Sequence, residues 1–284
     1  MDEISRKHPL LRGGYLLFRR YLQHRVAVQS AALAFYLLFT VFPLLIFISS
    51  LLGLLELDVA GILQALEEVL PREVVGLAEV YLLHVGENPS RRLLAFGLVF
   101  SIYFPMRATN SLMRSVRTAY HLGPPLSTVR HVLKTLVYTV LLMTVVALTL
   151  ILMTVGERLL LLAVEWLAVP LAVARAWAWL RFPVVAVAGY FALFFLYALS
   201  QDRRQPCRRL WPGTLAALMA WLAVSWLYAF YVDHIAHYSA LYGSIGAIIV
   251  LMVWLNLSAA ILILGAELNG VLGNLQREHA GAGG

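Results

Sequence analysis

Charge is scarce in this chain. Only 13% of its 284 residues are Asp, Glu, Lys or Arg, where a soluble domain carries about a quarter. Cysteine is scarcer still: Cys207 stands alone, which excludes an internal disulfide and a cysteine-based metal site. Lysine is confined to Lys7 and Lys134, the rest of the 22 basic residues being arginine. No polar stretch is long enough to build a separate soluble catalytic domain.

What fills the chain is apolar. Hydrophobic residues make up 61% of it, in several runs that reach the roughly 20 residues needed to cross a hydrocarbon layer about 30 Å thick. Six spans are predicted, at about 31–54, 93–112, 132–155, 183–200, 212–231 and 244–266. The fold class is therefore an all-α polytopic membrane protein, with residues 1–284 forming one membrane domain. The basic stretch 6–25 leads into an apolar run too long for the core of a cleavable signal.

Charge placement sets the expected topology. Sixteen basic residues fall in the N-terminus, the 2–3 connection, the 4–5 loop and the tail, against six on the other side. The positive-inside rule then places both termini in the cytoplasm. Glu56, Asp58, Glu67, Glu68, Glu73, Glu79 and Glu87 all lie in the first external segment, 55–92. Val59, Ile62, Leu63, Leu66, Val69 and Leu70 recur there at helical spacing, predicting amphipathic helices on the outer face.

Residues 1–30 predict a basic interfacial helix on the inner leaflet, with simple topology signalling by the same basic residues as the alternative. Leu11, Tyr15, Phe18 and Leu22 take one side of it and Arg12, Arg19 and Arg20 largely another. Residues 159–180 are ambiguous between an interfacial stretch and a seventh span. Glu165, Pro170 and Arg175 are costly in lipid, which favours the interface.

Two stretches carry a family resemblance. "AALAFYLLFTVFPLLIFISSLLG" (31–53) and "YGSIGAIIVLMVWLNLSAAILILGAELNG" (242–270) resemble the first- and last-span signatures of the YihY/BrkB family of bacterial inner-membrane proteins. The resemblance implies a six-helix fold in the bacterial inner membrane. It also brings the family's old labels, ribonuclease BN and virulence factor BrkB, and a proposed role in export or lipid handling. Pro105 in "SIYFPMRATN" departs from the small-residue pattern expected of span two.

Candidate residues follow from depth and spacing. Asn256 falls near the middle of the last span and Glu267 at its inner end, eleven residues apart and therefore on one helical face. Asn274 continues that line, and Asn269 lies beside it in the Gly-Ala-Glu-Leu-Asn motif. The expectation for Asn256 is an interhelical hydrogen bond, and for Glu267 a carboxylate at a cytoplasmic mouth. Span two must run on past Pro105, which puts Arg107, Asn110, Arg114 and Arg117 on one stripe. Arg107 is expected within the membrane, either snorkelling or paired with Glu267 beside a polar cavity.

In span one, Tyr36, Thr40 and Pro43 share a face, marking either a static proline kink or a hinge. Asp233, His234 and His237 are the weak candidates for metal, and no cofactor motif is present.

These features bear on function. A metal-dependent nuclease needs clustered His and Asp near its substrate, whereas the eight histidines here are scattered. The Asp-His group is also expected outside, away from RNA, so no nucleic-acid partner is expected. An intramembrane enzyme needs paired catalytic groups at matched depth, and none is evident. A transporter or exporter of an anionic or amphipathic, lipid-like substrate is the preferred reading. A non-catalytic scaffold is the alternative. Membrane lipids are the expected partners, with a homo-oligomer and envelope partners left open.

Overall fold

The computed structural model describes residues 9–54, 76, 79, 90–123, 127–167, 171–201, 210–234 and 244–281. Among them there are seven helices and no strand. They are α1 (Pro9–Gln23), α2 (Val26–Leu54), α3 (Arg91–Ala119), α4 (Thr128–Leu167), α5 (Leu171–Leu199), α6 (Trp211–His234) and α7 (Ser244–Gly281).

Five of these helices are long and apolar enough to cross a membrane. Their apolar stretches are Val26–Phe47, Thr128–Thr149, Phe182–Leu199, Trp211–Val232 and Ile245–Leu275. The predicted count of six is therefore not reproduced: α3 is long enough but not apolar enough to join the five. Its 29 residues would reach about 43 Å, yet Arg91, Arg92, Arg107, Arg114 and Arg117 lie along it. The protein is a multi-pass membrane protein in which the most basic of the long helices is packed among the others.

The stretch 159–180 is divided between two helices. Residues to Leu167 continue α4, and residues from Leu171 begin α5. No proline interrupts the sequence from Thr128 to Pro170, so nothing in it stops a helix once started. At 40 residues α4 would measure about 60 Å, twice the hydrocarbon thickness, and must emerge from it. The acidic segment 55–92 lies outside the described residues except for Gly76, Glu79 and 90–92.

Lipid gives helices no hydrophobic reason to associate, so small residues and polar contacts must hold the bundle. Both are present. Helix α3 packs along α2, and α7 packs on α6, α2, α1 and α3. A methyl group on Gly265 of α7 would lie 2.5 Å from Ala217 Cβ, 2.8 Å from the Gly213 carbonyl oxygen and 2.7 Å from the Tyr197 hydroxyl, so the α6 backbone and a side chain of α5 both close on α7 there. Tyr197 Oη donates to the Leu262 carbonyl at 2.5 Å, and Tyr138 Oη donates to that of Ala192 at 2.8 Å. Trp221 Nε1 donates to Ser258 Oγ and Trp254 Nε1 to Ser225 Oγ, crossing α6 and α7 in both directions. The buried core fills the space between these contacts, with Leu112, Met113 and Val116 of α3, Leu196 and Tyr197 of α5, and Ile263 and Ala266 of α7.

Candidate functional site

Glu267 is the best buried carboxylate of the described residues, 1% exposed. A charge so removed from water needs partners. Arg20 Nη1 donates to its Oε2 at 3.4 Å, and His24 Nδ1 meets its Oε1 at 2.5 Å. Both partners come from the end of α1 and the joint that follows it. Arg20 also donates to the Ala119 carbonyl at 3.2 Å and to His121 Nε2 at 3.1 Å. The His24 and His121 rings meet edge to face, with centroids 5.6 Å apart. The cluster therefore ties α1, the end of α3 and α7 together.

Two local devices aim these side chains. Arg25 has φ 50°, and this left-handed residue breaks the helix between α1 and α2. Hydrogen bonds from His24 N–H to Arg20 O and from Arg25 N–H to Leu22 O close the end of α1. Helix α3 ends in a Schellman turn, with Leu122 N–H on Arg117 O and His121 N–H on Thr118 O. His121 takes the left-handed position, at φ 53°, where glycine is usual. Each such residue costs about 1–2 kcal/mol, and strain of this kind collects at functional sites.

The charge states follow from the contacts. A guanidinium only donates, so the His121 Nε2 that faces Arg20 must be unprotonated. Partial burial first, then the charges of Arg20 and His24, hold the His121 pKa below its ordinary 6.5, and Glu267 opposes the shift.

Asn269, two residues beyond Glu267, is 1% exposed. Its Oδ1 accepts from Gly213 N–H at 2.7 Å and its Nδ2 donates to Leu210 O at 2.8 Å. It thus caps the first turn of α6 from a neighbouring helix, serving an N–H that has no partner within α6.

A second polar layer lies deeper. Arg107 is twelve residues before Ala119, Asn256 eleven before Glu267, and Tyr36 ten after Val26. These spacings put all three about 15–18 Å from the Glu267 layer. Arg107 Nη2 donates to Tyr36 Oη at 3.4 Å, and its guanidinium lies 5.5 Å from the Tyr36 ring centroid. The Arg107 side chain is otherwise exposed on the outer surface of the bundle. Asn256 Oδ1 is buried with no hydrogen-bond partner among the described residues, so the expected interhelical bond from that oxygen is not made.

The sequence-predicted residues are thus divided. Glu267 and Asn269 belong to the inner cluster, while Arg107 pairs with Tyr36 and not with Glu267. The stripe of α3 also splits. Arg114 is exposed, whereas Asn110 Oδ1 accepts from His131 Nε2 at 2.8 Å. Arg117, 5% exposed, turns inward because its Nη1 donates to Ser200 O and its Nε to Gly123 O. Thr40 Oγ1 donates to Tyr36 O one turn before the buried Pro43, inside an unbroken α2. Asp233 and His234 end α6, and His237 lies outside the described residues. No group of three metal-ligating side chains occurs among the described residues.

Sequence reasoning missed Arg20, His24 and His121. Arg19 and Arg20 are adjacent and so point about 100° apart on α1. That spacing allows one of them to turn inward while the other stays exposed, but it does not say which.

Comparison with known proteins gives one family and several relatives. The family described as virulence factor BrkB matches residues 17–283. The chain is 32% identical to the Bacillus subtilis (strain 168) protein YfkH, named as ribonuclease-like, over 256 residues covering 90% of this chain and 93% of that one. It is 34% identical to a UPF0761 membrane protein of Alkalilimnicola ehrlichii over 34% of this chain and 22% of the relative. A UPF0761 membrane protein of Pseudoalteromonas translucida is likewise 34% identical, over 30% and 27% of the two chains. No solved structure matches.

Proposed function

Because the chain belongs to the virulence factor BrkB family of membrane proteins, we propose that it is a non-enzymatic transporter. In this reading it moves an anionic, amphipathic substrate of phospholipid type across the bacterial inner membrane, with both termini in the cytoplasm. The observation that carries the reading is Arg107. A guanidinium at the bilayer centre costs at least about 2.5–3.5 kcal/mol, and this one faces outward, with Tyr36 its hydrogen-bond partner among the described residues. An anion arriving from the lipid phase offsets that cost and forms charge-assisted hydrogen bonds.

The surroundings suit an amphiphile. On α3, Arg107 and Arg114 are exposed two turns apart, a track for a headgroup between mid-depth and the inner surface. Beyond Arg107, the aromatic chain Tyr103, Phe104, Phe100 and Phe96 continues up the same helix, an apolar wall for acyl chains. The ribonuclease-like name belongs to YfkH and forms no part of this reading.

The scaffold reading has one observation in its favour. A methyl group on Gly97 would lie 2.7 Å from the Phe47 backbone nitrogen, so α2 and α3 are closed tightly above the arginines. Reconstitution separates the two readings. Proteoliposomes carrying fluorescent anionic lipid are expected to lose outer-leaflet label faster with wild-type protein than with Arg107→Ala. No activity from folded protein with anionic or zwitterionic headgroups would transfer the assignment to the scaffold.

A further inference from the structure

Helix α1 has two faces with different tasks. Its inner face carries Arg20, buried against Ala119 and Glu267, and Tyr21, packed on the core. Its outer face leaves Phe18 63%, Leu22 59% and Tyr15 45% exposed, with Arg19 exposed between them. In water this row of apolar side chains would be a persistent cost. The left-handed Arg25 prevents α1 from continuing along the course of α2.

We propose that this outer face docks on an anionic lipid surface, and that α1 thereby links that surface to the foot of the last helix. Phe18, Leu22 and Tyr15 enter the boundary between headgroups and acyl chains, and Arg19 meets lipid phosphates. The charge balance favours an anionic surface: Arg6, Lys7, Arg12 and Arg19 stand against Asp2 and Glu3 in the segment through Gln23, leaving out Arg20, which is committed to Glu267. Each basic residue near such a surface contributes about 1 kcal/mol, and the apolar face supplies the rest of the affinity.

The same short helix delivers Arg20 and, through the joint, His24 to Glu267. Arg19 and Arg20 are neighbours with opposite partners, a lipid phosphate on one side and a buried carboxylate on the other. The docked surface and the clasp therefore hold one another in place. This inference stands apart from the transport reading, since a scaffold could use the same clasp.

Spin labelling of the full-length protein tests it. The variant Phe18→Cys in a Cys207→Ser background carries one nitroxide, and the protein is placed in nanodiscs of phosphatidylglycerol or of phosphatidylcholine alone. The expected result in anionic discs is a label reached by oxygen and shielded from a water-soluble nickel complex. Nickel access should rise several-fold in zwitterionic discs, or when Arg19→Glu is added. Adding Glu267→Gln should leave the label docked in anionic discs and mobilise it in zwitterionic ones. If that variant does not fold, His24→Gln serves the same purpose.

Equal nickel access in both lipids would overturn the docking. A line shape indifferent to both substitutions at the clasp would overturn the linkage. Immobilisation that follows protein concentration in detergent would assign the face to a second copy, and the proposal would fail.

Discussion

His24 Nδ1 lies 2.5 Å from Glu267 Oε1, joining residues 243 positions apart. With Arg20 on the other carboxylate oxygen, Glu267 has a partner at each oxygen, both supplied by the first described helix and its joint. Removing one side of a buried pair leaves the other charge without compensation, at about 3–5 kcal/mol. Arg20→Ala and Glu267→Ala are each expected to lower the unfolding temperature of the solubilised protein sharply. The double variant should lose much less than the sum. The cycle of Arg107→Ala with Glu267→Ala should be additive, because those residues occupy different layers. Coupling in the second cycle and none in the first would reverse the pairing described above.

Much of this arrangement is legible from helical periodicity alone. Apolar runs located the long helices, and the eleven-residue spacing put Asn256 and Glu267 on one face, each marking a polar layer. Periodicity says which residues share a face of one helix. It is silent on which helix that face meets. The partner of Glu267 depends on a turn at Arg25 whose left-handed backbone is unusual for arginine, so the approach of α1 to α7 had no local signal. Arg117 went astray for a related reason: its stripe is shared with Arg107, but the Gly123 and Ser200 carbonyls draw it inward at the end of α3. The predicted span 132–155 is shorter than α4 because Glu157, Arg158 and Glu165 read as ending the apolar run. A helix of 40 residues outruns the membrane and is not ended by them.

His121 makes stability depend on pH in a defined sense. Its folded pKa is below the ordinary 6.5, so on acidification the unfolded chain takes up a proton before the folded one does. Its contribution is present in full above that value and is lost as pH falls through the folded pKa. The unfolding temperature of the solubilised protein should therefore fall as the pH is lowered from neutral through the ordinary histidine range. His121→Gln should flatten this part of the profile, whereas a histidine acting only as filler would leave the profile unchanged.

Gly270 sits where α7 passes the end of α3. A methyl group there would strike the Ala119 carbonyl oxygen and come 2.6 Å from Arg20 Nη1. Backbone cannot give way as a side-chain tip can, so Gly270→Ala should separate the two helices and disturb the clasp. The expected cost is about 1–3 kcal/mol, the range for overpacking. Gly273, one turn later, has nothing within 4 Å of such a methyl group. Gly273→Ala should be neutral or slightly stabilising in thermal denaturation, since alanine is the better helix former. Equal loss at both positions would show that the helix, not the contact, is sensitive to the change.

Arg107 separates stability from function in a way a structural arginine would not. Its main contacts are one long hydrogen bond and one ring face, both from Tyr36. An exposed contact of that kind contributes about 0.5–1 kcal/mol, less than the cost of keeping the charge at mid-depth. Arg107→Leu should therefore leave the unfolding temperature unchanged or raise it. If the guanidinium binds a substrate anion, the same substitution should slow lipid translocation by roughly tenfold or more, the loss of about 1.4 kcal/mol of transition-state binding. Arg107→Lys should recover part of the rate, because a point charge replaces the charge but not the fork. A variant that is both less stable and fully active would make Arg107 a packing residue, and the case for an anionic substrate would fall with it.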